Sequence, residues 1–314
     1  MPAISASAPG KVILFGEHAV VYGTPAIAVP VTQVQAKAIV IPNPGQPGAS
    51  VEIHAPEISL DSPIKDLPFE HAIARAVDLT LEALGLSTHP AFILKVSSTI
   101  PVAAGLGSGA AVTVAIIRAV STFLGKTLPD ETINDLTFEV EKIHHGTPSG
   151  IDNTVVTYAR PVYFIKDHSI ETFAVKEPFS IVIGDTGIPS PTAVTVGDVR
   201  KAWLSDPEKY NSLFEACGEV ARHARHVIEE GGVKELGPLM DENQALLDEM
   251  GVSCSELDTL ITAAREAGAL GAKLSGAGRG GNMISLVQPE QAEELAVKLK
   301  KAGATNTIIT VVGK

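Results

Sequence analysis

Charged side chains stand close to glycines in several segments of this sequence, and the first of these segments begins at Lys11. Lys11 precedes a short apolar run that ends at Phe15, and Glu17 and His18 follow that run. A lysine at the edge of a buried strand can neutralise a phosphate or a carboxylate. The same lysine can instead extend into solvent along its aliphatic stem, and the two later residues can form a hydrogen-bonded turn. The local sequence leaves both interpretations open.

A second segment is rich in glycine and leads into a predicted helix. Gly105, Gly107 and Gly109 alternate with other residues just before an apolar run that predicts a buried helix up to Leu124. Glycines let the backbone approach a ligand closely, and the free N–H groups at the start of a helix attract an anion. Phosphate is the ligand that this arrangement favours. A turn capped by Ser108 is the alternative, although a simple cap does not need three alternating glycines.

Other phosphate-binding patterns fit less well. Gly125-Lys126-Thr127 resembles the end of a P-loop, but Val120 stands where that motif requires glycine. Gly105 to Ala110 fits a relaxed dinucleotide fingerprint, but no second strand ends in an acidic residue about 20 residues later. Gly276 to Gly281 matches the strict fingerprint but leads into a predicted strand, Asn282 to Val287, instead of a helix. The patterns therefore argue against a P-loop and against a dinucleotide site.

Acidic and imidazole side chains crowd the end of another predicted helix. These are Glu139, Glu141, His144 and His145. Their spacing does not match the helix of zinc proteases, and carboxylate oxygens beside a phosphate suit Mg²⁺ better than zinc. A solvated helix face is the alternative interpretation for each residue.

The next candidate is the carboxylate of Asp152, which follows a loop from Gly146 to Gly150. Ser149 and Asp152 have the spacing of a capping box, which would make Asp152 the third residue of a helix. The helix dipole would also hold this carboxylate ionised, and the loop would direct it into a cleft. An ionised carboxylate is the proton acceptor that phosphoryl transfer to a hydroxyl requires.

Hydrophobic periodicity and turn residues predict the elements that carry these segments. The predicted strands are Gln33 to Ile41, Val51 to His54, Ala91 to Val96, Pro161 to Ile165, Glu171 to Val175, Ser180 to Gly184, Asn282 to Val287 and Thr307 to Val312. The predicted helices are Pro68 to Gly85, Gly105 to Leu124, Asp130 to His145, Ser212 to Glu230, Leu239 to Met250, Glu256 to Ala267 and Glu290 to Ala302. We expect an α+β protein with antiparallel pairing and a domain boundary near Pro178, giving domains over 1–178 and 179–314.

Composition limits the class of protein. Of 314 residues, 45% are hydrophobic and 19% charged, which excludes a disordered chain, and the net charge of -12 argues against a nucleic-acid surface.

Cys217 and Cys254 cannot form a disulfide framework, so we expect a reducing compartment, the cytoplasm. The start of the sequence lacks the features of a signal peptide. The longest uncharged run, Val96 to Ile117, contains Pro101 and several glycines, so we expect no membrane span.

Four segments together resemble the GHMP kinases, the family of galactokinase and of homoserine, mevalonate and phosphomevalonate kinases. They are Pro9 to Gly23, Pro101 to Ala111, Pro148 to Asp152 and Lys273 to Gly281, in the order that the family has. The resemblance spans nearly the whole chain. It implies an N-terminal domain like ribosomal protein S5, a ferredoxin-like C-terminal domain and an active site in the cleft between them. A homodimer would also fit the family.

The resemblance assigns roles to individual residues. Asp152 would be the catalytic base, and Lys11 would stabilise it and the transferred phosphoryl group. Glu141 and Ser108 would hold Mg²⁺, while Glu17, His18 and Ser149 match positions near the acceptor substrate. The loop that would bind ATP phosphates consists of Pro101, Val102, Ala103, Ala104, Gly105, Leu106, Gly107, Ser108, Gly109, Ala110 and Ala111.

Local chemistry selects a branch of the family. Galactokinases carry an acidic residue and a tyrosine for sugar hydroxyls where this chain has the apolar Ala19 and Val20. Gly184 to Gly187, Val199-Arg200 and Asn243 to Leu247 are similar to the branch that phosphorylates mevalonate, in particular its archaeal type. The resemblance therefore implies ATP- and Mg²⁺-dependent phosphorylation of the C5 hydroxyl of mevalonate, a step of isoprenoid biosynthesis. The alternatives are phosphomevalonate or another small hydroxy acid as acceptor, or a catalytically silent ligand sensor.

This sequence departs from the family pattern at three positions. Gly109 stands where the family usually has a second serine that binds Mg²⁺, so metal binding would fall to Ser108, water and Glu141. Arg279 replaces a usual glycine and Asn282 a usual cysteine. Arg279 would either contact phosphate or point into solvent, and the sequence does not decide between the two.

Overall fold

A computed structural model describes residues 2–43, 50–101, 104–145, 148–169, 171–190 and 192–313. Contacts divide the chain into two compact units. The first unit contains Met1–Gly10, Val34–Pro101 and Gly107–Ala159. The second unit contains Lys11–Gln33, Val102–Leu106 and Arg160–Lys314. Each unit is therefore assembled from segments that are distant in sequence.

The elements up to residue 158 belong mostly to the first unit. They are β1 (Ile4–Phe15), β2 (Ala26–Pro42), β3 (Glu52–Ala55), β4 (Leu60–Pro63), α1 (Ala72–Ala83), β5 (Phe92–Ser98), α2 (Ser108–Phe123), α3 (Asp130–His145) and α4 (Ile151–Tyr158). The C-terminal part of β2 pairs antiparallel with β5, with Ala36 opposite Ser98. β5 pairs in parallel with β3, which forms an antiparallel pair with β4.

The helices of the first unit pack around α2, which contacts α1, α3 and α4. α2 is buried on nearly every side because alanine and β-branched residues fill most of its positions, among them Val114, Ile116 and Ile117. This confirms the predicted buried helix. α2 and the glycines before it are consequently fixed by packing on three neighbouring helices.

The remaining elements belong to the second unit. They are β6 (Val162–Phe164), β7 (Glu171–Thr172), β8 (Phe179–Asp185), α5 (Thr192–Ser205), α6 (Pro207–Glu230), α7 (Leu236–Glu249), α8 (Ser255–Glu266), β9 (Gly271–Ser275), β10 (Asn282–Val287), α9 (Ala292–Lys301) and β11 (Asn306–Val312). The N-terminal part of β2 pairs with β6, and β6 pairs with β7.

The main sheet of the second unit has the order β11-β8-β10-β9, and all its neighbours are antiparallel. Numbered by sequence within this sheet, the order is fourth, first, third, second, with helices after the first and third strands. That is the ferredoxin-like arrangement which the resemblance implied, and it is confirmed. β8, β9 and β10 are almost wholly buried because α7, α8 and α9 pack against this sheet, whereas the edge strand β11 is mostly half-buried.

The edge strand β9 is completed by side chains of α7 instead of by another strand. Asp241 accepts a hydrogen bond from the backbone N–H of Ala272 (3.1 Å), and Gln244 accepts one from that of Leu274 (2.8 Å). Exposed edge N–H groups invite pairing with other chains, and these two bonds satisfy them internally. They also fix the strand that carries Lys273.

Most predicted elements are confirmed, with differences at their ends. α3 and β10 have the predicted bounds, and the α+β class with antiparallel pairing is correct. α5 was not predicted, and α6 begins at Pro207 instead of Ser212 because Asp206 caps it by accepting a hydrogen bond from the Lys209 N–H (3.2 Å). β7 contains only Glu171 and Thr172.

Among the described residues, no helix combines the length and the apolar character that crossing a bilayer requires.

Candidate active-site residues

The glycine-rich loop adopts a backbone that only glycine accommodates easily. Gly105 and Gly107 have φ values of 75° and 72°, in the left-handed region. Gly107 is the N-cap of α2, Ser108 is its first helical residue, and no described side chain caps this end. The alternative of a turn capped by Ser108 is therefore wrong. The first N–H groups of α2 are left for an anion, as phosphate binding requires. The predicted loop residues Val102 and Ala103 lie outside the described residues.

Glu141 on α3 lies beside the first turn of α2. Its side chain is buried, and a Cβ atom built on Gly109 would lie 3.1 Å from its Oε1. The glycine at this position therefore leaves room for a carboxylate next to the N-terminal end of α2. Ser108, half-buried in the same turn, adds a hydroxyl oxygen. The side chains of His144 and His145 lie outside the described part of the structure.

The oxygen donors around the start of α2 fit Mg²⁺ better than zinc. The described residues contain no group of three or more His, Cys, Asp or Glu side chains that could hold a metal ion. Mg²⁺ is commonly bound through one or two carboxylates, with phosphate oxygens and water completing its coordination. Glu141 and Ser108, next to the N-terminal end of α2 that no described side chain caps, agree with that pattern.

Asp152 lies in the first turn of the short helix α4. Gly150 is the N-cap with φ 91°, so Asp152 is the second helical residue. Ser149 accepts a 3.4 Å hydrogen bond from the Ile151 N–H, and the capping-box interpretation of Asp152 is wrong. The Asp152 side chain is half-buried and lies at the N-terminal end of α4.

Packing within the first unit holds α4 in place. The Asn153 amide donates to the side-chain oxygen of Asn134 on α3 at 2.8 Å, and both residues are buried. Asp152 is therefore carried on a turn whose neighbouring residue is fixed to an adjacent helix. A carboxylate on such a support keeps its direction, as a proton acceptor must.

Lys11 is buried in the second unit. It lies within β1, with only 4% of its surface exposed, and its backbone N–H donates to the carbonyl oxygen of Leu106 at 3.0 Å. The interpretation of Lys11 as a solvent-exposed lysine is wrong. The bond to Leu106 joins the strand that carries Lys11 directly to the glycine-rich loop.

Glu17 forms a fully buried ion pair with Lys273 on β9. The Lys273 ammonium donates to Glu17 Oε1 and to the carbonyl oxygen of Leu274 (2.6 Å), and neither charged side chain is exposed. Burial raises the pKa of the Glu17 carboxyl and lowers the pKa of the Lys273 ammonium, while the charge of each partner opposes the shift of the other. Sequence reasoning gave Lys273 no role. The available signal was a lone lysine among buried-strand residues, which requires a partner.

His18 is held in a strained turn after Glu17. Its φ is 59°, it is 6% exposed, and its Nε2–H donates to the carbonyl oxygen of Ala277 at 2.9 Å. Burial lowers the pKa of His18 to about 4, so its imidazole is neutral near pH 7. Gly16 begins the turn with φ 89°, where a Cβ atom would lie 2.4 Å from the Pro25 carbonyl oxygen. The hydrogen-bonded turn is confirmed.

We call the loop from Gly276 to Gly281 the third glycine-rich loop. Arg279 belongs to this loop and ties it to α5. Its guanidinium donates to Asp198 at 2.7 Å, and its backbone N–H donates to the carbonyl oxygen of Val252 at 2.9 Å. This bond to Arg279 lowers the pKa of Asp198. The structure therefore gives Arg279 a partner within the second unit, which neither sequence interpretation included.

Sequence models of one family match both halves of the chain. The model described as GHMP kinases N terminal domain matches residues 71–160, and the model described as GHMP kinases C terminal matches residues 224–305. These two matches include Ser108, Glu141, Ser149 and Asp152 in the first case and Lys273 in the second.

Curated relatives and solved structures agree with these matches. The chain is 40% identical to the mevalonate kinase of Thermococcus sibiricus, over 96% of this chain and 93% of that one. It is 38% identical to the mevalonate kinase of Pyrococcus furiosus, over 98% and 96%. The crystal structure of L. major mevalonate kinase in complex with R-mevalonate has a TM-score of 0.84 and 30% identity, covering 98% of this chain and 95% of that chain.

Proposed function

This chain belongs to the GHMP kinases, and we propose that it transfers the terminal phosphoryl group of ATP to the C5 hydroxyl of mevalonate. The observation that carries this proposal is the similarity to archaeal mevalonate kinases over nearly the whole chain. The product, 5-phosphomevalonate, would enter isoprenoid biosynthesis.

In this proposal Asp152 accepts the proton of the C5 hydroxyl as the oxygen attacks phosphorus. The carboxylate in the first turn of α4 is suited to this role, because packing against α3 holds the helix that carries it in place. Ser149, which precedes α4, stays a proposed residue of the acceptor pocket. The attack is a direct in-line displacement, in which the bond to the leaving ADP oxygen breaks.

Lys11 and the glycine-rich loop would stabilise the negative charge of the phosphates. Lys11 is buried, and a cation away from water interacts more strongly with a phosphoryl group than an exposed one. The loop from Pro101 to Ala111 would contribute backbone N–H groups at the start of α2.

Glu141 and Ser108 are the residues that would hold Mg²⁺. When bound there, the ion would neutralise charge on the ATP phosphates. The buried carboxylate of Glu141, close to Gly109, supports this assignment.

His18 and Glu17 complete the proposed acceptor pocket in different ways. The Glu17 carboxylate is fully buried against Lys273, so we assign it the indirect role of holding the turn that carries His18. His18 is neutral near pH 7, and its Nε2–H already donates to Ala277, so its Nδ1 would accept a hydrogen bond without adding charge.

Three further assignments accompany this proposal. They are a cytoplasmic location, a homodimer and domains over 1–178 and 179–314. The two free cysteines, Cys217 and Cys254, support a reducing compartment.

The test is a coupled assay of ADP release with ATP, Mg²⁺ and, in parallel, mevalonate, phosphomevalonate, homoserine and galactose. We expect turnover with mevalonate alone. Turnover only with another acceptor would retain the kinase and contradict the acceptor assignment. Silence with all four, in protein shown to be folded, would contradict the proposed activity and favour a ligand sensor.

A further inference from the structure

Asn282 connects the third glycine-rich loop to the loop that would bind ATP. It is the first residue of β10 and is 2% exposed, and its side-chain Nδ2 donates a hydrogen bond to the carbonyl oxygen of Ala104. Ala104 to Leu106 and Asn282 belong to the same unit of the structure. Asn282 stands where the family usually has cysteine, which cannot donate through an amide.

The backbone around Asn282 is a rigid support for this bond. β10 is a central strand, and Asn282 lies opposite Ser275 on one side and Asp185 on the other. The preceding residue, Gly281, donates its N–H to the Ile188 carbonyl (2.8 Å), and its own carbonyl accepts from the N–H and hydroxyl of Thr186 (both 2.9 Å). The amide of Asn282 therefore has little freedom to follow a moving loop.

Ser275, the residue of β9 that lies opposite Asn282, also contacts the strand that carries Lys11. The Ser275 hydroxyl donates to the Ile13 carbonyl (2.9 Å) and accepts from the Ile13 N–H (3.1 Å). Lys11, two residues before Ile13, donates its N–H to the Leu106 carbonyl (3.0 Å). With the bond from Asn282, these contacts close a ring that joins the sheet, β1 and the glycine-rich loop.

The polarity of Asn282 supports a role for this bond. Its Oδ1 atom is buried and has no hydrogen-bond partner among the described residues. An unsatisfied buried oxygen destabilises the folded protein, and a small apolar side chain would avoid that cost. The reversed amide would direct its oxygen at the Ala104 carbonyl oxygen, which is repulsive. The side chain is thus best explained by the bond that its nitrogen donates.

We propose that Asn282 is a positioning residue for the ATP phosphates, because it fixes the Ala104 carbonyl and so holds the glycine-rich loop in register with Lys11. The proposal rests on the ATP-dependent kinase function argued above. A loop held in its binding conformation before the nucleotide arrives loses less conformational entropy on binding. The mevalonate hydroxyl plays no part in this ring, so the effect of Asn282 is specific to the nucleotide.

The test uses the full-length chain with Asn282→Ala, Asn282→Cys and Asn282→Asp. The first two variants remove the amide donor. Asn282→Asp keeps the shape of the side chain but directs a carboxylate oxygen at the Ala104 carbonyl. The matched control is Ser285→Ala, which removes an equally buried hydrogen bond from β10 to a backbone carbonyl, that of Val182 (3.0 Å), away from the loop.

Direct titration with ADP and steady-state kinetics give the main measurements. Loss of one hydrogen bond predicts a rise of about fivefold to tenfold in the Kd of ADP and the KM of ATP. The KM of mevalonate should stay within about twofold of wild type, because the loss acts on the nucleotide. Asn282→Asp should have the largest effect, and Ser285→Ala should leave the Kd of ADP unchanged.

Amide hydrogen exchange separates loop positioning from a general loss of stability. The Lys11 N–H is bonded to the loop, so its exchange in the nucleotide-free protein should accelerate in Asn282→Ala, and remain slow in Ser285→Ala. If Asn282→Ala does not fold, Asn282→Cys, the residue usual in the family, provides the same comparison.

Two results would overturn the proposal. One is an ADP Kd within twofold of wild type in folded Asn282 variants. The other is an equal rise in both KM values with unchanged exchange at Lys11, which indicates a purely structural role.

If the wild-type protein binds ADP but does not phosphorylate mevalonate, the acceptor assignment falls and the ADP titrations still decide the role of Asn282. If the wild-type protein does not bind ADP, both proposals fall.

Discussion

The ion pair between Glu17 and Lys273 joins residues that are 256 positions apart, without any exposure of either charged side chain. Charges are costly to bury, and their attraction offsets that cost only when the geometry is good. Here the pair also fixes the turn that carries His18 against the strand that precedes the third glycine-rich loop. A buried pair of this kind specifies one arrangement, because any other leaves a charge unpaired.

Replacing Asp152 tests the proposed proton acceptor. Asp152→Asn keeps the shape of the side chain and removes its basicity, so we expect kcat to fall by roughly 10²- to 10⁴-fold with the affinity for ADP largely kept. Steady-state kinetics and ADP titration measure the two quantities. Glu131→Gln is the control, because Glu131 is an exposed carboxylate in the first turn of another helix, α3. An unchanged kcat in Asp152→Asn would remove this residue from the mechanism.

Burial of His18 predicts a stability that falls as the pH is lowered. The pKa of His18 is lowered from its ordinary 6.5 to about 4, so between these values the unfolded chain binds a proton that the folded chain does not. The free energy of unfolding should therefore decrease by up to about 3 kcal/mol as the pH falls from 6.5 to 4.

Urea unfolding at several pH values measures this effect. His18→Asn removes the titrating group and tolerates the positive φ of the turn, so its stability should change less over the same pH range than that of wild type. His226→Asn, which removes an exposed histidine of α6, is the control for the loss of an imidazole. Equal pH dependence in wild type and His18→Asn would contradict the prediction.

Single residues were identified from the sequence more easily than their partners. Glu17 and His18 were recognised because an acid and an imidazole stand side by side after a short apolar run, but their partners, Lys273 and Ala277, are in a different part of the chain. Periodicity and capping rules describe neighbours within about one helical turn and give no information about such distant pairs. The partner of Arg279 was missed for the same reason.

At the scale of elements, the contact between α2 and α3 depends on the absence of a side chain at Gly109. A Cβ atom there would lie 3.1 Å from Glu141 Oε1, so an added side chain requires the carboxylate to shift by a few tenths of an ångström. The nature of the added side chain should then decide its effect on Mg²⁺.

Gly109→Ser and Gly109→Ala form a matched pair for this prediction. Serine adds an oxygen beside Glu141, so we expect a lower Mg²⁺ concentration at half-maximal activity than in Gly109→Ala, which adds only bulk. The Mg²⁺ dependence of the ADP-release assay at saturating ATP measures this difference. The same Mg²⁺ requirement in both variants would argue against a metal ligand at this contact.

The elements that the sequence predicted well are those with strong periodicity and clear ends. α3 has acidic residues in its first turn and an apolar stripe, and both of its ends were predicted. α5 was missed because only Thr195 and Val199 are buried in it, which gives almost no helical pattern. The first half of β1 was missed because it alternates small residues, serine and alanine, between half-buried and exposed positions.

At the scale of the whole molecule, the second unit is assembled from three separate segments of the chain. Lys11–Gln33 supplies Glu17, the turn of His18 and Tyr22, whose ring stacks on Phe214 of α6 with centroids 4.0 Å apart. A boundary near Pro178 would separate this segment from the sheet that it completes. The boundary stays a prediction about the organisation of the chain, and it does not make residues 179–314 an independently stable fragment, because that fragment lacks Lys11–Gln33.

A fragment of residues 179–314 should be much less stable than the intact chain, because its Lys273 would be buried without Glu17. Breaking a buried ion pair typically costs about 3–5 kcal/mol. Lys273→Met should therefore have opposite effects: it should destabilise the full-length protein, where it leaves Glu17 unpaired, and stabilise the fragment, where it removes an unpaired charge. Lys298→Met, at an exposed pair with Glu294, should have little effect in either. Urea unfolding followed by circular dichroism measures the stability of the full-length protein and of the fragment. If the fragment is equally stable with and without the Lys273 charge, the missing Glu17 does not limit its folding.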